Sequence, residues 1–354
     1  MSLQDLGYTK EYEQYRKDNN LASFEIGRVI SEHKERYVVK TPTQELDSEL
    51  VGNLRFTAES RSDFPAVGDW VAFSEYDEGK ALIHAIYPRK SSIERQAVGK
   101  TGQIQIIATN IDYGLIVQAV DRDFNINRLE RYLTICNASQ VQPIIVLSKI
   151  DLIDPSALDA IKEQIGNRIK DVPVLSVSNL SEGYGQLANI IKPGLTYCLL
   201  GSSGVGKSTL LNSLSGKDQM KTGEISSSVN KGRHITSHRE LIVLDNGGIL
   251  IDNPGMREVG LADTTSGLEI TFDTILEYAQ NCKYNDCTHL NESGCALLEA
   301  VENGEIDEDS YNNFRKMEKE KMHFESDALE RKKKDKDFGK MVKDVKKMRK
   351  NMKF

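Results

Sequence analysis

With 354 residues, 39% hydrophobic and 28% charged, the chain has the make-up of a water-soluble protein with room for two or three domains and a full core. No apolar run approaches the ~18 residues of a membrane span, and the opening Met1-Ser-Leu-Gln-Asp-Leu6 has no signal-peptide pattern, so the expectation is a cytoplasmic protein with no membrane partner. The net charge of −7 hides an asymmetry: residues 331–354 hold twelve Lys/Arg against three Asp/Glu, so an acidic body carries a basic tail suited to a polyanion.

Residues 1–20 are polar, with Tyr8, Tyr12 and Tyr15 at helical spacing, which predicts a short N-terminal helix. From about Phe24 the pattern changes to short β-type runs at Ile26–Ile30, Arg36–Lys40, Glu49–Val51, Asp69–Phe73 and Ala81–Ile86, with turn residues such as Pro65, Gly68 and Gly79 between them. About five short strands in so little chain predict a small barrel of the OB type. Such barrels bind single-stranded nucleic acid on an aromatic and basic face, which makes Tyr37, Trp70, Arg89, Lys90 and Arg95 candidate contacts, although Trp70 reads equally well as core.

Strand and helix then alternate over residues 104–200. Tyr113–Ala119, Pro143–Leu147, Val172–Val177 and Leu195–Leu200 read as strands; Asn127–Ala138 and Ala157–Arg168 read as helices, the first with Leu129, Leu133 and Cys136 on one face. This alternation predicts a parallel sheet covered by helices. Next comes Gly201-Ser-Ser-Gly-Val-Gly-Lys-Ser208, a G-x-x-x-x-G-K-S phosphate loop, followed by a helical pattern over Thr209–Leu214. The backbone of Gly201, Ser202, Ser203, Gly204, Val205 and Gly206 is expected to wrap a polyphosphate at the helix N-terminus, beside Thr209. Lys207 reaches the β/γ-phosphates in this pattern and Ser208 ligates Mg²⁺. A polar stretch, residues 215–237, leads into Leu241–Asp245 and Gly248–Asp252, which flank the hairpin dipeptide Asn246-Gly247.

Two further stretches choose the base. Ser148-Lys-Ile-Asp151 resembles the N-K-x-D guanine motif: the Asp151 carboxylate can accept from both N1–H and the 2-amino group, and Lys149 can lie along the base plane. Val177-Ser-Asn179 resembles the S-A loop, with Ser178 and Asn179 beside the base. Asp252-Asn-Pro-Gly255 matches D-x-x-G, with Asp252 toward Mg²⁺ and the Gly255 amide toward the γ-phosphate. Thr236 is the candidate switch threonine, a second Mg²⁺ ligand. The guanine elements precede the phosphate loop in the chain, the reverse of an ordinary GTPase, so the domain reads as circularly permuted. Met256 stands where many GTPases carry a water-orienting Gln, and methionine cannot orient water; His234 and His238 are the alternatives, each equally readable as an exposed loop histidine. The catalytic candidates are thus His234, Thr236 and Lys207.

Cys282, Cys287, His289 and Cys295 form C-x₄-C-x-H-x₅-C, a ligand set for one closed, structural Zn²⁺. Cys136 and Cys198 sit in apolar runs and read as core. The last stretch suits a helix that docks on RNA; its plainer reading is a solvated tail.

The permuted order, the barrel and the Cys/His cluster, together with Val67-Gly-Asp-Trp-Val71 and Phe124-Asn-Ile-Asn-Arg-Leu-Glu-Arg-Tyr132, resemble the RsgA (YjeQ) family of small-ribosomal-subunit-dependent GTPases from about residue 24 to about 325. The resemblance implies a monomer that binds GTP/GDP, Mg²⁺ and Zn²⁺, engages the 30S subunit and its 16S rRNA late in assembly, and hydrolyses GTP slowly until stimulated. Ser148 departs from the usual Asn, Ile235-Thr236 from consecutive threonines, and Asn179 from Ala. The fold class is therefore α/β: an N-terminal extension (1–23), an OB-like RNA-binding domain (24–100), a permuted P-loop GTPase (101–265), a mostly helical zinc module (266–325) and a basic tail (326–354). The rival readings are a nucleotide-binding placeholder with negligible turnover and a P-loop ATPase of another kind.

Overall fold

Short β-branched runs and one abrupt change of period organise the chain. The computed structural model describes residues 1–33, 35–96, 104–121, 124–178, 183–216, 239–253 and 265–326. Helix α1 (Lys10–Asp18) precedes β1 (Glu25–His33), β2 (Arg36–Lys40) and β3 (Glu45–Leu50); a short helix α2 (Gly52–Thr57) leads to β4 (Trp70–Asp77) and β5 (Lys80–Ile86). These five strands pair in the order β1-β2-β3-β5-β4, and β4 returns to β1, which closes a barrel. Inward positions alternate along β3, where Leu46, Ser48 and Leu50 are buried and Glu45, Asp47 and Glu49 exposed. Val29, Val39, Leu46, Val71, Phe73 and Ile83 fill the interior.

The barrel overturns the aromatic part of the expected nucleic-acid face. Trp70 is fully buried beneath Tyr8 and Tyr12 of the N-terminal segment, and Tyr37 is buried in the barrel core. Arg89 is held by Asp69 at 2.7 Å and by the carbonyls of Ser62 and Phe64. Arg95 bonds Gln105 and is half-buried, and Lys90 pairs with Asp112 at 2.9 Å while remaining exposed. Buried in this way, Trp70 and Tyr37 cannot stack on bases, whereas Lys90 keeps its charge at the surface. The N-terminal segment is sealed on by the buried Arg28, which donates to the carbonyls of Leu6 (2.7 Å), Gly68 (3.1 Å) and Asn110 (3.0 Å); burial pushes its pKa down to about 10.

A hairpin of β6 (Ser92–Gln96) and β7 (Ile104–Thr109), which the sequence pattern does not signal, leads into β8 (Tyr113–Ala119), α3 (Ile126–Ala138), β9 (Gln142–Ser148), α4 (Pro155–Arg168), β10 (Val174–Ser176), α5 (Tyr184–Ile190), β11 (Thr196–Leu200) and α6 (Lys207–Ser215). Then β12 (Glu240–Val243) and β13 (Ile249–Asp252) form the expected hairpin. The sheet runs β10-β9-β8-β11-β13 in parallel, with β12 antiparallel at the edge. Strand β12 also meets β1 at Glu240 and Ser31, so sheet and barrel are joined.

Both faces of the parallel sheet are covered, which is why its strands are almost continuously apolar. Leu115, Val117, Tyr197, Leu199 and Leu250 pack under α5 and α6. Their neighbours Ile116, Cys198, Leu200, Ile249 and Ile251 pack on the other face with Leu129 and Leu133 of α3 and Ile165 of α4. The C-terminal elements α7 (Thr265–Thr271), α8 (Asp273–Ala279), α9 (Ala296–Glu302) and a helix over residues 308–326, α10, share that second core through Leu268, Phe272, Leu297, Phe314 and Met317.

Candidate functional site

Ligands of open parallel sheets sit outside the carboxyl ends of the strands. In this sheet those ends carry Asp121 after β8, Lys149 after β9, Ser178 after β10, Gly201 after β11 and Asp252 at the end of β13. The registers align them along one edge: Ala119 lies opposite Ser148, Leu147 opposite Ser176, and Leu200 opposite Ile116.

The phosphate loop is set by its glycines. Gly201 has φ 145°, and a Cβ there would lie 2.3 Å from the Val117 carbonyl oxygen; Gly206 has φ 96° as it opens α6. Val205 is buried beneath the loop, while Ser203 and Gly204 are exposed and Ser202, Ser208 and Thr209 half-exposed. Buried Lys207 donates to the carbonyls of Gly201 (2.7 Å) and Ser202 (2.6 Å). Burial pushes its pKa down to about 8, with Asp252 opposing the shift. Asp252 is itself buried; burial raises its pKa against Lys207, and its Oδ1 has no hydrogen-bond partner among the described residues. An orphaned carboxylate oxygen coupled to the loop lysine fits a divalent cation held with the Ser208 hydroxyl. Asn253, buried next to it, donates to Cys198 Sγ at 2.8 Å.

Of the residues expected to read the base, Ser148 reaches this loop, and Lys149 and Asp151 follow it closely in the chain. The Ser148 hydroxyl donates to the Val205 carbonyl at 2.6 Å, so the serine that stands in place of Asn braces the phosphate loop directly. Lys149 takes a left-handed backbone, φ 61°, and its Nζ lies 3.1 Å from Asp121 Oδ2. Buried Ser178 donates its hydroxyl to Asp151 Oδ1 at 2.9 Å, which aims an otherwise exposed carboxylate. His234, Thr236, His238, Asn179, Gly255 and Met256 lie outside the described residues, as do residues 327–354 of the basic tail. The sequence reading missed Asp121; only its place two residues beyond a buried strand hinted at an edge position.

The Cys/His cluster is assembled between α8 and α9. The ligand atoms of Cys282, Cys287, His289 and Cys295 all lie within 4.8 Å of one another. Cys282 Sγ and Cys295 Sγ are 3.7 Å apart, and each is 3.5 Å from His289 Nδ1. A tetrahedral Zn²⁺ with ordinary bond lengths has S···S and S···N edges of about 3.8 and 3.6 Å, so the donor set fits that ion. The Tyr311 hydroxyl of α10 donates to the His289 carbonyl and ties this loop to the helix.

The carboxyl-edge loops, read in chain order, define a circularly permuted P-loop GTPase. A family profile described as RsgA GTPase matches residues 86–262. Small ribosomal subunit biogenesis GTPase RsgA 1 of Bacteroides thetaiotaomicron is 39% identical over 328 residues, 92% of this chain and 91% of that protein. Its counterpart RsgA in Methanosarcina acetivorans is 42% identical over 306 residues, 86% of this chain and 81% of that protein. The crystal structure of YjeQ from Thermotoga maritima superposes with a TM-score of 0.59 at 25% identity, covering 82% of this chain and 96% of that one. The chain belongs to the RsgA GTPase family.

The depressed Lys207 pKa has a measurable consequence. The unfolded lysine titrates near 10.5 and the folded one near 8, so the nucleotide-free protein gains stability as pH rises between these values. A bound polyphosphate restores the charge. Binding of GTP near pH 8 is expected to take up about half a proton, measurable by calorimetry in buffers of different ionisation enthalpy. Lys207→Arg should abolish the uptake, because arginine holds its proton throughout.

Proposed function

We propose that this protein is a GTP hydrolase of small-ribosomal-subunit biogenesis that engages the 30S particle through its 16S rRNA, acts late in maturation and is stimulated by the subunit. The observation that carries the nucleotide part is the Ser148–Val205 hydrogen bond of 2.6 Å, which locks the base-reading stretch onto the phosphate loop. The relatives' name, small ribosomal subunit biogenesis GTPase, supports the ribosomal part.

In this reading the backbone of residues 201–206 and Lys207 hold the β/γ-phosphates, and Ser208, Thr236 and Asp252 hold Mg²⁺. Asp151, Lys149, Ser178 and the Asn179 amide hold guanine; the Gly255 amide senses the γ-phosphate, and His234 assists water attack. Mg²⁺ supplies charge neutralisation of the phosphates when bound. Cys282, Cys287, His289 and Cys295 hold one structural Zn²⁺. Residues 24–100 and the tail 326–354 supply RNA contact, and the protein works as a cytoplasmic monomer. Among the described residues no helix is long and apolar enough to cross a membrane.

The test is phosphate release from GTP with and without purified 30S subunits. Slow turnover, strongly raised by subunits, outcompeted by GTP but not ATP and abolished by Lys207→Ala, is the expected result. Nucleotide binding with no turnover in either condition would mark a placeholder, and equal competition by ATP would remove guanine specificity.

A further inference from the structure

We propose that Asp121 is a positioning residue for the guanine pocket, holding Lys149 so that its stem lies along the base; this rests on the GTP-binding reading above. Strands β8 and β9 are parallel neighbours, and the Val120 amide donates to the Ser148 carbonyl at 3.1 Å. The sheet edge therefore delivers residue 121 beside residue 149. Asp121 is itself anchored: the Phe124 amide donates to the Asp121 carbonyl at 2.9 Å, and the Asn125 side chain caps α3 at Arg128.

The Lys149 side chain is only 10% exposed and that of Asp121 21%, so the ion pair is largely shielded from water. Lysine has a long flexible stem, and immobilising it costs rotamer entropy at the moment a ligand binds. An anchor made beforehand removes that cost. Asp121 and Asp151 have separate tasks. Asp151 reads the base edge, where guanine differs from other purines. Asp121 acts through Lys149 on the base face, which guanine shares with hypoxanthine. Loss of Asp121 should therefore weaken GTP and ITP alike, whereas loss of Asp151 should alter the ratio between them.

The experiment measures GTP and ITP affinity of the full-length protein by competition against a fluorescent GDP, with melting temperature as the fold control. Asp121→Asn is expected to weaken both nucleotides about tenfold, the worth of one hydrogen bond between charged groups, with the GTP/ITP ratio unchanged. Asp121→Glu, which keeps the charge, should recover most of the loss. In a Lys149→Met background, where the stem remains but the ammonium is gone, Asp121→Asn should add nothing. Should Asp121→Asn fail to fold, the Asp121→Glu and Lys149→Met affinities decide, and a Lys149→Met protein binding as tightly as wild type overturns the assignment. Unchanged affinity in Asp121→Asn, or an equal further loss in the Lys149→Met background, would also overturn it. A wild type that binds no GTP would instead overturn the GTP reading and take this assignment with it.

Discussion

Asp151→Asn is expected to weaken GTP by about a hundredfold or more and to admit xanthosine triphosphate in its place. The carboxylate can accept two hydrogen bonds from guanine, one from N1–H and one from the 2-amino group, and each bond to a charged group contributes about 1.5 kcal/mol or more. Losing about 3 kcal/mol is roughly two decades of affinity. Xanthine carries a carbonyl where guanine carries its amino group, and the amide nitrogen of asparagine can donate to it. Orientation should survive, because the Ser178 hydroxyl that now holds Asp151 Oδ1 at 2.9 Å can hold an amide oxygen equally well. Competition of the two nucleotides against a labelled GDP checks the exchange. A variant that keeps wild-type GTP affinity would mean that no base lies against Asp151.

Glu130→Ala is expected to destabilise the protein by about 3–5 kcal/mol and to release α10 from α3. Glu130 and Arg168 form a pair whose side chains are 2% and 5% exposed, with N···O at 2.7 Å. The same carboxylate accepts from Asn313 at 2.6 Å and Ser310 at 3.2 Å, both on α10, and Arg168 also donates to Asn127 at 2.6 Å and pairs with Asp307 at 3.4 Å. Burial pushes the Glu130 pKa up, and the Arg168 hydrogen bonds pull it back. Removing the carboxylate leaves a guanidinium buried beside one remaining, half-exposed acid. The neighbouring Arg131–Glu320 pair, bidentate at 3.0 and 2.6 Å, is less buried and cannot replace it. Urea unfolding reads the stability, and hydrogen exchange over residues 308–326 reads the release. Unchanged exchange there, with stability within about 1 kcal/mol of wild type, would show that α10 docks through Phe314 and Met317 alone.

Chemistry carried by contiguous residues was legible in the chain itself. The phosphate loop is eight consecutive residues whose glycine positions demand unusual backbone angles, the hairpin at Asn246-Gly247 is a local turn preference, and the Cys/His spacing brings four donors within reach of one ion. The barrel strands and α3 also declared themselves, because their periodicity is a property of neighbouring residues. What the chain alone could not show were pairings across long separations and the sidedness of exposed-looking residues. Asp121 and Lys149 meet only because β8 and β9 are adjacent, and Glu130, Arg168 and Asn313 meet only because α3, α4 and α10 pack together. Trp70 and Tyr37 looked like a base-stacking face until the N-terminal segment and the barrel closed over them. A carboxylate on a helix and an aromatic ring on a strand have the same local signal whether water or protein covers them, so only the tertiary structure could decide which.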